Sequence, residues 1–257
     1  MFVLLRSVLF QTYFYLSVAV AATIIVLVSF RPIWSFNVTR AWSHGMLFVG
    51  KWLCGLDYVI EGRENVPDEP CVIMIKPASV FEAYAQVVLS PRNCWVLKRE
   101  LFWVPFFGIG LMALKPIAIN RGAGSSAVKQ VIRQGKERLA EGIWVTVFPE
   151  GTRMAPGTTK KYGVSGAALA KEAGVPIVPV AHNAGDLWPR RSLKKKPGLI
   201  RVVIGPPIDA SSLPPKETNL VVQDWIEGKM HEISDVYKNK GAAPKETAPS
   251  ASEKSGD

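Results

Sequence analysis

The chain has 257 residues, 48% of them hydrophobic, and a formal net charge of +10, enough length for one large α/β domain plus a membrane segment. Its three cysteines, Cys54, Cys71 and Cys94, lack close spacing, which excludes a disulfide framework and a zinc site and fits buried packing residues in a reducing compartment. The positive balance comes without a nucleic-acid motif, so its partner is read as anionic membrane lipid and not nucleic acid.

From the N-terminus, Ser7 to Phe30 carries no charged side chain. As a helix of 24 residues it reaches roughly 36 Å, enough to cross a hydrocarbon core. Arg6 and Arg31 bracket the run and Pro32 stops it. The apolar stretch is too long for a signal peptide and no small-x-small cleavage site follows, so it reads as a retained membrane helix. Trp34 to Tyr58 mixes Trp34, Phe36, Trp42, Phe48 and Trp52 with Arg40, His44 and Lys51. Two readings stand open there, an amphipathic helix at a membrane surface and a core helix of the following domain.

Tyr58 to Arg63 and Cys71 to Ile75 read as strands separated by a turn at 65–68. Pro77 to Leu89 is expected to be helical, with Pro77 at the first helical position, where its missing N–H has no intrahelical role. Cys94 to Leu97 is a strand. Leu101 to Leu114 is strongly apolar but interrupted by Pro105, Gly108 and Gly110, and reads as a wall that admits an acyl chain or dips into lipid. Pro116 to Asn120 is a strand ending at Arg121, and Ser125 to Glu141 an amphipathic helix. Trp144 to Phe148 is a strand ending in the Pro149-Glu150-Gly151 turn, followed by a helix over Gly163 to Ala173, strands over Val175 to Ala181 and Ile200 to Ile204, and a last helix over Asn219 to Tyr237. Arg190, Arg191 and Lys194 to Lys196 form the densest basic cluster and read as solvated surface, each charge adding about 1 kcal/mol of attraction near an anionic leaflet. Gly241 to Asp257 lacks any large apolar side chain and is expected to be disordered.

The organisation that follows is a membrane-anchoring helical region over 1–57, a domain over 58–240 and a tail over 241–257. Alternation of strands with helices predicts an α/β fold, a sheet covered by helices on both faces.

Four short blocks carry the chemistry: Lys76-Pro77-Ala78-Ser79-Val80-Phe81-Glu82, Ile117 to Arg121, Phe148-Pro149-Glu150-Gly151-Thr152-Arg153, and Val175 to Val180. In this order they resemble the 1-acyl-sn-glycerol-3-phosphate (lysophosphatidic acid) acyltransferases. The resemblance covers about residues 58 to 208 and implies a glycerolipid-acyltransferase-like mixed sheet preceded by a membrane-binding helical segment. It implies acyl transfer from acyl-CoA or acyl carrier protein to the 2-hydroxyl of a lysophospholipid, with no metal or tightly bound cofactor. By the same match Arg121, Glu150, Gly151, Thr152 and Arg153 hold the acceptor's glycerol phosphate. An arginine fork suits phosphate, and glycine lets backbone approach it.

The family's first block is His, four residues, then Asp or Glu. Here Glu82 stands in the carboxylate position, and Pro77 occupies the place of the histidine base. Glu82 is thus expected as an orienting carboxylate with no imidazole to orient. His182, beside the fourth block, is expected to satisfy local hydrogen bonds. Besides the transferase reading, a catalytically silent lysophospholipid-binding membrane protein of the same fold stands open. The resemblance also implies an inner-membrane location with the domain on the cytoplasmic side, where acyl thioesters are made.

Overall fold

A computed structural model describes residues 2–104, 107–120, 122 and 124–241. Seven strands, β1 (Leu56–Glu61), β2 (Val72–Ile75), β3 (Asn93–Lys98), β4 (Ile117–Ile119), β5 (Trp144–Val147), β6 (Ile177–His182) and β7 (Gly198–Ile204), form one sheet in the order β1-β7-β6-β2-β5-β3-β4. Neighbours run parallel except β6 and β7, which makes the sheet mixed. β2 to β6 therefore end at one common edge, and the loops that follow them converge there.

Side chains of a strand alternate between faces. Val72 and Met74 point into a core shared with Val131 and Leu139 of α5 (Ser125–Ala140), Leu169 of α6 (Ser165–Ala173) and Val222, Ile226 and Met230 of α8 (Pro215–Ile233). Ile73 and Ile75 point the other way, onto Phe10 of α1 (Phe2–Leu27), Met46 and Leu47 of α2 (Pro32–Cys54) and Tyr84 of α3 (Phe81–Ala85). Both faces are thus covered, as the alternation of elements predicts. Burial of each such large side chain contributes about 1.5–3 kcal/mol.

By length and composition α1, with a mean hydropathy of 1.8, is able to cross a membrane. It nevertheless packs along α2 and α4 (Phe107–Ala113), burying Phe10, Ala21, Ala22 and Ile25 while Leu16, Val20 and Leu27 stay exposed. Gly110 allows the approach to α4, since a Cβ there would lie 3.1 Å from that of Ala22. α2 buries Phe36, Thr39, Ser43, Met46, Leu47 and Gly50 against the domain and α1, which bears out the core-helix reading for that face, and leaves Phe48 and Trp52 exposed. Cys54, Cys71 and Cys94 are free and buried, and burial pushes the Cys71 and Cys94 thiols up to about 12.

Three expectations change. The helix after β2 starts at Phe81 and lasts five residues, followed by a 3-10 turn over Gln86–Val88, so Pro77 is not a helical N-terminal residue. The Glu82 carboxylate takes the N–H groups of Ala78 and Ser79, which holds 76–80 as a turn. The Leu101–Leu114 stretch divides into a 3-10 helix, Arg99–Trp103, and α4. The last helix breaks at Ser234, between α8 and α9 (Asp235–Gly241), because Asp186 of the short α7 (Ala184–Leu187) accepts bonds from the Ser234 hydroxyl and the Asp235 N–H. Of the expected tail, 242–257 lies outside the described residues.

Candidate active site

The loops after β2 and β5 meet over one cavity of about 690 Å³. Pro77, Ser79 and Glu82 line it from the first block, and Gly151, Thr152 and Arg153 from the third. Lys98 at the end of β3 and Arg190 and Arg191 after α7 complete its polar end. The remaining wall is mostly apolar, with Phe14, Val18 and Ala22 of α1, Trp42 of α2, and Leu101, Leu111 and Leu114 around α4, beside Gln11 and Thr39.

Glu82 is 4% exposed, yet it lines the cavity. Its Oε1 accepts from Ala78 N at 3.1 Å and Ser79 N at 3.0 Å, and its Oε2 from Ser79 N at 2.8 Å. Burial raises its pKa to about 8, against the opposing pull of these N–H bonds and of the Arg153 charge. On its far side lies His182, whose Nε2 is 3.7 Å from Glu82 Oε2. The expectation of a local hydrogen bond for His182 holds, since its Nδ1 accepts from Ala184 N at 3.3 Å. Sequence reasoning did not anticipate the contact with Glu82, which arises because β2 and β6 are parallel neighbours and end side by side.

Glu150 sits differently from its neighbours in the third block. Its side chain is buried, contributes nothing to the cavity lining, and bonds Lys76 Nζ at 3.1 Å, Thr159 Oγ1 at 3.1 Å and Lys160 N at 2.9 Å. Burial raises its carboxyl pKa while Lys76 and the Lys160 N–H oppose the shift. Gly151 follows at φ +69°, a left-handed conformation that glycine adopts without strain and that turns Thr152 and Arg153 toward the cavity. Arg121 lies outside the described residues.

The basic cluster also departs from its reading as solvated surface. Arg190 reaches the Arg153 carbonyl with its guanidinium, and Lys195 is buried, with Nζ 4.4 Å from the Trp188 ring centroid and 3.2 Å from Gln11 Oε1 of α1. The paired arginines at 190–191 were the available signal for a polar subsite. Lys98, a lone lysine at a strand end, offered none.

A family model described as Acyltransferase matches residues 57–183. The 1-acyl-sn-glycerol-3-phosphate acyltransferase of Pseudomonas aeruginosa is 40% identical over 241 residues, 91% of this chain and 93% of that protein. The chain belongs to the 1-acyl-sn-glycerol-3-phosphate acyltransferase family. The alpha form from Homo sapiens is 27% identical over 175 residues, 67% of this chain and 62% of that protein. The crystal structure of the 1-acyl-sn-glycerophosphate (LPA) acyltransferase PlsC from Thermotoga maritima superposes with a TM-score of 0.75 at 20% identity. That superposition covers 94% of this chain and 98% of that one, an agreement of fold across both helical regions and the sheet.

Proposed function

We propose that this acyltransferase moves an acyl group from an acyl thioester, of coenzyme A or acyl carrier protein, to the 2-hydroxyl of lysophosphatidic acid, giving phosphatidic acid. The observation that carries the reading is the make-up of the cavity. It combines Glu82, Gly151, Thr152, Lys98 and the arginines Arg153, Arg190 and Arg191 with a mostly apolar wall from α1, α2 and α4. A lysophospholipid has this division, a phosphate on one side of its free hydroxyl and a long acyl chain on the other. Arg153 grips the phosphate by a charge-assisted fork, with Arg121 as a further holder by family match. Glu150 acts from behind, fixing the loop that presents Thr152 and Arg153. The apolar wall takes the acyl chain, and the exposed apolar faces of α1 and α2 meet the membrane from which the acceptor comes. In this reading residues 1–57 are the membrane-facing region, and the site lies on the cytoplasmic side.

A second reading is a lysophospholipid-binding protein without turnover, favoured by the position of Pro77, which lines the cavity where an imidazole is expected. A paired assay of the purified chain and its Pro77→His variant, with lysophosphatidic acid and an acyl thioester, separates them. Phosphatidic acid from the variant supports the acceptor site and the transfer chemistry. Lysophosphatidic acid binding with no product from either chain favours the silent binder.

A further inference from the structure

Pro77 stands where the first block leads one to expect an imidazole, the cavity keeps the carboxylate-position Glu82, and the imidazole of His182 lies behind Glu82. Glu82 lines the cavity; His182, 1% exposed, does not. We propose that Glu82 is the base of this chain and that His182 is its positioning residue, the reverse of the His-then-carboxylate order of the family. The proposal rests on the acyl transfer argued above.

The tautomer of His182 follows from its surroundings. Nδ1 accepts the Ala184 N–H. The Lys76 backbone is a second neighbour, an acceptor for an imidazole N–H; with Nδ1 engaged by Ala184, we place the single proton of the neutral imidazole on Nε2. That nitrogen is fully buried, has no hydrogen-bond partner among the described residues, and faces Glu82 Oε2 at 3.7 Å. An approach of about 0.7 Å makes this contact an ordinary N–H···O bond. Burial holds His182 neutral, with its pKa lowered to about 4, so it contributes an N–H dipole and no competing proton.

The remaining groups around the pair are consistent with a working base. Arg153 favours the Glu82 carboxylate, Tyr84 packs on the same short helix, and Lys76, just after β2, gives His182 a backbone hydrogen-bond acceptor and an ammonium charge that disfavours its protonation. A base with a pKa near 8 keeps far more driving force for proton removal than an ordinary carboxylate. The N–H bonds from Ala78 and Ser79 fix the orientation of the carboxylate.

The step balances without a further reactant. As the acceptor oxygen attacks the thioester carbonyl, its O–H bond breaks and the proton passes to Glu82. The new C–O bond forms and the C–S bond breaks. The leaving thiolate then takes the proton from Glu82, which returns to the carboxylate as the free thiol departs. His182 Nε2–H donates to the carboxylate throughout and does not itself transfer a proton.

The test measures phosphatidic acid formation between pH 6 and 9 by the full chain in mixed micelles, with lysophosphatidic acid binding as the control for folding. Four variants are compared, Glu82→Gln, His182→Leu, His182→Gln and Pro77→His. The expected result is turnover by the unchanged chain that rises with pH toward about 8, and a loss of about 100-fold or more in Glu82→Gln. His182→Leu should shift the profile to higher pH, because the carboxylate loses a donor, and His182→Gln, which keeps an N–H, should shift it less. No turnover by the unchanged chain beside an active Pro77→His overturns the proposal and leaves the acyltransferase reading intact. A His182→Leu variant that matches the unchanged chain in rate and profile removes His182 from the mechanism. Silence of every chain, Pro77→His included, overturns the acyl-transfer reading and this proposal with it.

Discussion

Lys76 Nζ lies 3.1 Å from Glu150 Oε1, and both side chains are shut away from solvent. This pair joins the first block to the third from outside the cavity, since neither residue lines it. Glu227 of α8 is 2.7 Å from the same ammonium and also accepts from Tyr162 and Thr159. Removing one member leaves a buried charge without its partner. Lys76→Met should therefore destabilise the fold by about 3–5 kcal/mol, and adding Glu150→Gln should recover part of that loss. Denaturant unfolding of the two variants checks this, and a Lys76→Met cost below about 1 kcal/mol would show that the pair does not hold the loops.

Arg153 is the described third-block side chain with the chemistry to hold a phosphate at the cavity. Arg153→Ala is expected to weaken lysophosphatidic acid binding by about 10- to 100-fold, the worth of a charge-assisted bond of about 1.5–3 kcal/mol. A monoacylglycerol, which has the same chain and hydroxyls but no phosphate, should bind both proteins alike. Equal losses for the two lipids would mean that Arg153 supports the pocket and does not read the phosphate.

The raised pKa of Glu82 makes a statement about stability against pH. The free side chain titrates near 4.5 and the folded one near 8. Between these values the unfolded chain has released a proton that the folded one retains, so stability is full below about 4.5 and is lost as pH rises through about 8. His182 runs the other way in a lower window: its folded pKa of about 4 lies below 6.5, so its contribution is gained between those values. The interval from about pH 6.5 to 8 thus leaves out His182, and the comparison with a Glu82 variant separates Glu82 from the other raised carboxyls, Glu150 and Asp186. Thermal unfolding of Glu82→Gln should improve relative to the unchanged chain across that interval. A difference in Tm that stays constant with pH would place the folded pKa elsewhere.

At the contact between α1 and α4, a Cβ on Gly110 would lie 3.1 Å from Ala22 Cβ and 3.2 Å from Ala22 Cα. Gly110→Val forces bulk into that seam and should cost about 1–3 kcal/mol. It should also depress transfer, because Ala22 and Leu111 on either side of the seam line the cavity. Gly110→Ala, which offsets a smaller clash with better helix propensity, should be milder. Unchanged Tm and rate in Gly110→Val would show that α1 is free to move off the domain.

Periodicity and order alone were enough for the α/β class and for most strands to within a residue or two, and the resemblance of four short blocks was enough for the family, because these rest on local pattern and on residues close together in the chain. Ile73 and Ile75 against Val72 and Met74 already announce a sheet buried on both faces. Which polar side chains face the cavity was decided only by the fold. Glu150 and Arg153 are three residues apart, yet one is tied inward to Lys76 and the other lines the cavity, a difference set by the left-handed turn at Gly151. The basic cluster read as surface sends Arg190 to the site, where it bonds the Arg153 carbonyl, and Lys195 under α1, where it bonds Ser7 and Gln11. His182 is a hundred residues from Glu82 in sequence, and nothing near it in the chain reveals the contact. Parallel pairing of β2 with β6 ends both strands at the same edge, and that long-range register brings imidazole and carboxylate together.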